Sequence, residues 1–203
     1  MKYKILLLFI FVLLIQVKTQ AQEYKLGYYH NVLMNKDFKV ELWINEKSSS
    51  KNDYLAIATK PLNSESGWIV IKLSDLDSFV KSFKKLKSKA LEWSKVVNEK
   101  NIVIEKKDIP IKFPDVALGW GGGENDYHFA FDETPHFYFS SSEGGATSIE
   151  WKAIVHTSDY EHMEGFLICF IDLEEYDRLL ELLDVKKIKE LSKNRHKELN
   201  LLK

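Results

Sequence analysis

His128, Asp132 and His136 recur at every fourth residue, a spacing that on a helix would line up ligands for a divalent metal. The segment does not read as a helix. Pro135 interrupts it, and His128-Phe129-Ala130-Phe131 and His136-Phe137-Tyr138-Phe139 each alternate with a period of two. The pattern predicts a hairpin turning through residues 132–135. In that register Phe131 opposes His136 and His128 opposes Phe139, so the two histidines point to opposite faces. No metal site and no other cofactor is expected. His156 and His162, with Asp159, Glu161 and Glu164, surround a loop at 158–165, where solvated turn residues are the expectation. Catalysis would have to assemble an acid/base site from His128, Asp132, His136, His156 and His162.

Gly119-Trp120-Gly121-Gly122-Gly123 invites comparison with a phosphate-binding loop. Such a loop needs a helix N-terminus after it, so that free N–H groups converge on the anion. Here Glu124-Asn125-Asp126 and a further strand follow, which predicts a flexible loop with Trp120 as a candidate ligand platform. The single cysteine, Cys169, has no partner for a disulfide within the chain. It sits in Phe166-Leu167-Ile168-Cys169-Phe170-Ile171, apolar on both alternating faces, and is expected to be a buried, inert thiol. No nucleophile elbow, metal-protease helix or paired-cysteine motif is present in the sequence.

Aromatic residues make up 13% of the chain, and many fall in segments of strand character: Tyr28, Tyr29, Phe38, Trp43, Phe129, Phe131, Phe137, Tyr138, Phe139 and Trp151. Most must form a core, yet one sheet face can present several outward to a peptide, a glycan or a partner protein.

The elements that would position these residues begin after residue 21. Lys2 and Lys4, the apolar run 5–15 and Thr19-Gln20-Ala21 have the order of a secretory signal peptide, with cleavage after Ala21. An apolar run of about eleven residues is short for a membrane span, which takes roughly 20. No cysteine follows it to carry a lipid anchor. The expectation is an exported, soluble protein, periplasmic or secreted, with no membrane span after cleavage. The chain has 29 basic and 30 acidic side chains, and Lys2, Lys4 and Lys18 lie in the leader; 26 against 30 remain, a balance of −4. That sign lacks the general attraction to phosphate on which nucleic-acid binders rely, so nucleic acid is an unlikely partner. The remaining stretch, 22–203, is the size of one domain.

Four strand-like segments at 24–30, 38–45, 54–60 and 68–73 precede a long helix. Leu76, Phe79, Phe83, Leu86, Ala90, Trp93 and Val97 form its apolar stripe, and Lys81, Lys84, Lys85, Lys87, Lys89 and Lys95 its outer face. Ser74 or Asp75 is placed to cap its start and Asn101 to stop it. A second set of strands at 127–131, 136–141, 148–157 and 166–171 precedes another helix from about residue 172. Leu76, Phe79, Phe83 and Leu86 map onto Leu173, Tyr176, Leu180 and Leu183 at one offset, 173 − 76 = 97. The same offset carries Tyr54 to Trp151, Ala56-Ile57 to Ala153-Ile154 and Ile71 to Ile168.

The expected fold class is therefore α+β, an internally duplicated ββββα unit with antiparallel sheets, a long amphipathic helix after each and a pseudo-two-fold arrangement. The copies span about 24–101 and 121–198, with a connector at 102–120 that can add an edge strand. This order of elements resembles the doubled ββββα arrangement of the Whirly and PUR-repeat nucleic-acid-binding folds, in architecture and without a shared sequence motif. The function expected from the sequence is a non-catalytic exported binding or interaction module for a protein, peptide or glycan. A hydrolase-like enzyme with an assembled His/Asp site and a nucleic-acid binder of the doubled ββββα kind are the alternatives.

Overall fold

A computed structural model describes residues 22–46, 52–121, 127–156, 163–171 and 173–201. The signal-peptide expectation, the part of the expected 158–165 loop that holds His162, and the glycines at 122–123 lie outside the described residues. The fold is α+β, with two antiparallel sheets and helices between and after them. The strands are β1 (Gln22–Asn31), β2 (Lys36–Ile44), β3 (Tyr54–Thr59), β4 (Ser66–Lys72), β5 (Ile104–Asp108), β6 (Val116–Gly121), β7 (Tyr127–Glu133), β8 (His136–Ser141), β9 (Thr147–His156) and β10 (Met163–Phe170). The helices are α1 (Leu76–Lys100), α2 (Leu173–Leu182) and α3 (Val185–Asn200).

Strands β1-β2-β3-β4-β6-β7 form a six-stranded sheet and β10-β9-β8-β5 a four-stranded one. Alternation sets their faces. Val40, Leu42, Leu55, Ile57, Ile69, Ile71 and Leu118 point inward from the large sheet, and Phe137, Phe139, Ile149, Trp151, Phe166, Ile168 and Phe170 from the small one; all are buried in one cluster.

α1 follows the first four strands yet packs on the other sheet. Phe79 lies 5.6 Å from Trp151, Phe83 6.1 Å from Phe137, and Trp93 5.6 Å from Phe139, measured between ring centroids. α2 and α3 follow the small sheet and return to the large one: Glu175 of α2 accepts the His30 backbone N–H at 3.1 Å, and α3 docks on Asp53 ahead of β3. α1 thus packs on strands that follow it in the chain, while α2 and α3 reach back to strands that open it. α1 ends at Asn101, whose left-handed φ of 51° stops it, and Asp184 caps α3 by accepting Lys187 N–H at 3.1 Å. No helix among the described residues is long and apolar enough to cross a membrane.

Three expectations change. First, residues 132–135 are not a hairpin: β7 pairs with β6 in the large sheet, and β8 pairs with β9 and β5 in the small one. Periodicity identifies strands and faces but not partners, and the turn at Pro135 carries the chain from one sheet to the other. Second, Gly119-Trp120-Gly121 is not loop but the end of β6, an interior strand, so the 102–120 connector supplies a strand to each sheet. Third, the gapless offset of 97 fails in β9. Ile57 is 0% exposed, whereas Ile154, its supposed equivalent, is 48% exposed. A one-residue slip in a strand moves every side chain to the other face.

Candidate functional site

The outward face of the six-stranded sheet has an unusual composition. Reading across paired strands, Trp43 adjoins Tyr54, Ala58 adjoins Trp68, Trp68 adjoins Gly119, and Gly119 and Gly121 adjoin Phe129 and Tyr127. Ala56, Val70 and Ala117 form the row between, with Glu41 at its end, so a row without rings separates the two that carry them. The rings lean over the small residues and meet. Trp43 and Trp68 are 6.0 Å apart between centroids, Trp68 and Tyr127 5.6 Å, and Phe129 and Phe131 6.1 Å. Gly119 makes this possible: a Cβ there would stand 2.6 Å from the Phe129 ring. Trp43, Tyr54 and Trp68 are partly exposed, and Tyr127, Phe129 and Phe131 are exposed. No described helix lies on this face; α2 and α3 reach the sheet from the inner side.

Charge around the rings is balanced. Glu23, Asp37 and Glu41 share the face with Lys25, Lys39 and Lys72. Glu41 is buried, with Lys39 Nζ 2.8 Å from Oε1. Burial works to lower the Lys39 pKa, but its hydrogen bond and attraction to Glu41, with Glu23 and Tyr28 adding, push it up on balance. Glu41 Oε2 and Trp43 Nε1, one acceptor and one donor on the same strand face, are buried without a partner among the described residues.

A second polar constellation lies on the inner side. Asp53, wholly buried, accepts Ser192 Oγ–H at 2.6 Å, His196 Nε2–H at 3.0 Å and the Asn45 backbone N–H at 3.0 Å. The residue types are those of a catalytic triad but the geometry is not. Serine and histidine both bond the same carboxylate rather than each other, and Ser192 has no exposed surface from which to attack a substrate. The cluster fastens α3 to Asp53, the residue that precedes β3.

The sequence candidates do not converge. His128 lies in β7 of the large sheet, beside Trp120 at 5.7 Å between rings, while His136 begins β8 of the small sheet and His156 ends β9. Trp120 is not an exposed platform: it is buried on the inner face, edge-on to Phe166 at 6.2 Å. Among the described residues no group of three or more His, Cys, Asp or Glu side chains is placed to hold a metal ion. Cys169 is buried, and desolvation, followed by the Glu150 charge, pushes its thiol up to about 11.

Sequence reasoning named Trp43, Phe129 and Phe131 among strand aromatics but did not place them together with Trp68 and Tyr127. Alternation within each strand put them on a face; only strand order makes the faces one surface. Asp53 gave no signal, because its partner His196 is 143 residues away. No family model, curated protein or solved structure matches this chain, so its surface has to be read from its own chemistry.

Proposed function

We propose that this protein is an exported, non-catalytic binding module whose contact surface is the outward face of the six-stranded sheet, and that its ligand is a glycan. The observation that carries this is the chain of touching, partly exposed rings Trp43, Trp68 and Tyr127. The C–H faces of a sugar pack on such rings, and its hydroxyls both donate and accept, which suits a rim of balanced charge. A polyanion would be served by a net positive face, which this is not. Tryptophan fluorescence, titrated with a panel of soluble oligosaccharides, unstructured peptides and single-stranded oligonucleotides, tests the reading. A saturable response to an oligosaccharide, shifted to much higher concentration in Trp68→Ala and unchanged in Trp93→Ala, is expected. A response confined to peptides or to oligonucleotides would refute it.

Export rests on residues 1–21. Mass spectrometry of the protein from its native host is expected to find an N-terminus near Gln22, and an intact Met1 would contradict it. A common origin of the two halves is part of the same proposal, with the slip in β9 allowed for. At an offset of 97, Val40 and Leu42 fall on Phe137 and Phe139, Ile69 and Ile71 on Phe166 and Ile168, and Phe79 on Tyr176, buried residues in every case.

A further inference from the structure

Charge is unevenly spread along this chain. Residues 76–112 hold ten lysines and five acids, a surplus of +5, in a chain whose formal net charge is −1. Seven of those lysines and three of the acids lie on α1, which treats its lysines in two ways. Lys87, Lys89 and Lys95 each have a carboxylate: Asp177 at 2.5 Å, Glu92 at 2.9 Å and Glu99 at 3.9 Å. Lys81, Lys84 and Lys85 are exposed and make no ion pair among the described residues. They stand at i, i+3 and i+4, so three like charges crowd one turn of one helix face, which by itself destabilises a helix.

The three line a trough of about 680 Å³ that runs over α1. Val80, Ile111 of the stretch between β5 and β6, and Val185 at the start of α3 line it as well. Both flanks are tied to the helix: Ser82 Oγ–H donates to Lys112 O at 2.7 Å, and Lys189 of α3 pairs with Asp77. The two carboxylates that line the trough, Asp77 and Glu92, are already matched, by Lys189 and Lys89. Three ammonium groups are left uncompensated beside three aliphatic side chains.

We propose that this trough binds an acidic segment of another polypeptide, its carboxylates on Lys81, Lys84 and Lys85 and its apolar side chains on Val80, Ile111 and Val185. Charge complementarity asks for an anion, and the lining decides which kind. No arginine lines the trough to clamp a phosphate in bidentate fashion, and no aromatic ring lines it for a base to stack on. Its concavity suits a chain laid along the helix better than a flat bilayer surface. An acidic polypeptide alternates carboxylates with aliphatic groups at the spacing of a few ångströms that the lining repeats, since Lys81 and Lys85 are separated by about 6 Å of helix rise. No residue of the trough belongs to the outward face of the large sheet, so the proposal stands apart from the glycan reading.

Fluorescence anisotropy of a labelled peptide built of glutamate and leucine, titrated with the full chain at low salt, tests this. Saturable binding is expected, weakening as salt is added and weakened about tenfold or more by Lys81→Glu combined with Lys85→Glu. Lys60→Glu combined with Lys197→Glu, an equal change of charge outside the trough, and Trp68→Ala on the large sheet are each expected to leave it unchanged. The circular dichroism spectrum is expected to stay that of the wild type, because the substituted side chains are exposed; should it change in the first double variant, Lys84→Gln, expected to weaken binding about threefold, decides instead. Absence of saturable binding, equal binding of the same peptide with glutamine in place of glutamate, or equal losses in the two double variants would overturn the proposal. Displacement of the peptide by a single-stranded oligonucleotide or by phosphatidylglycerol vesicles at lower concentration than by unlabelled peptide would also overturn it, and would give the trough to a phosphate-bearing partner.

Discussion

The two sheets share a core and differ on their outward faces. The small sheet turns Ser140, Ser148, Glu150, Lys152 and His136 outward, with Ser140 and Ser148 hydrogen-bonded at 2.6 Å and Lys106 resting over Tyr138 at 3.7 Å. That is how an antiparallel sheet with one solvated side ordinarily reads. The large sheet turns tryptophan, tyrosine and phenylalanine outward beside alanine and glycine, spread over five of its strands. Water gains nothing from that arrangement, and the inner core does not need it, since Leu42, Leu55, Ile71 and Leu118 already fill the other side. The difference separates an ordinary solvated face from the one we propose as the contact surface.

Substitutions in the shared core set the upper bound of the comparison, because they strike both sheets at once. Phe79 and Tyr176 are each fully buried, and Tyr176 stacks on Phe83 at 4.2 Å while donating to its carbonyl at 2.6 Å. Phe79→Ala and Tyr176→Ala are expected to cost about 3–5 kcal/mol in chemical denaturation. A loss under about 1 kcal/mol for either would mean that the helix is not the joint between the sheets.

The outward faces are then separated by ligand affinity. Trp68→Ala is expected to weaken oligosaccharide binding by about 2 kcal/mol or more, roughly 30-fold. Glu150→Ala on the small sheet is expected to leave affinity within about twofold in the same fluorescence titration. Equal losses would erase the contrast.

Cys169 sharpens it on the small sheet, where it shares an outward row with Glu150 and Tyr138 yet is buried. Burial raises its pKa from 9.0 to about 11, so the folded state holds the proton more tightly than the unfolded chain. Its contribution is full below about pH 9 and is lost as pH rises toward about 11. A denaturation series across that range is expected to show stability falling less steeply in Cys169→Ala, and parallel curves would contradict the assignment. The smallest effects belong to the lysines of α1. Lys84→Ala, on the solvated face, is expected to change stability by less than about 0.5 kcal/mol. Lys87, which the helical pattern also puts outside, is part-buried with Nζ 2.5 Å from Asp177 of α2, so Lys87→Ala is expected to cost measurably more, about 1 kcal/mol.

Much of this fold is legible in the sequence, and the failures have a common cause. The strand segments, the α1 stripe and its stop at Asn101 follow from local periodicity and capping, which act over a few residues. The glycines on either side of Trp120 read as loop in the sequence, whereas Gly119 is required flat beneath Phe129. His128 and His136 were joined in a hairpin because neighbouring strands usually pair, and here they enter different sheets. The aromatic face is legible strand by strand and not as a surface, since Trp43, Trp68 and Tyr127 come from separate segments. The Asp53 cluster was invisible, as no local pattern links it to Ser192, 139 residues on.

Oxidative footprinting of the chain with and without a saturating oligosaccharide tests the central claim most directly, because it reads each tryptophan separately. The account expects ligand to protect Trp43 and Trp68 on the outward face of the large sheet while Trp93, which sits on α1, is oxidised at an unchanged rate. Protection of Trp93 with Trp43 and Trp68 left unaltered would contradict it and move the binding surface to the helix.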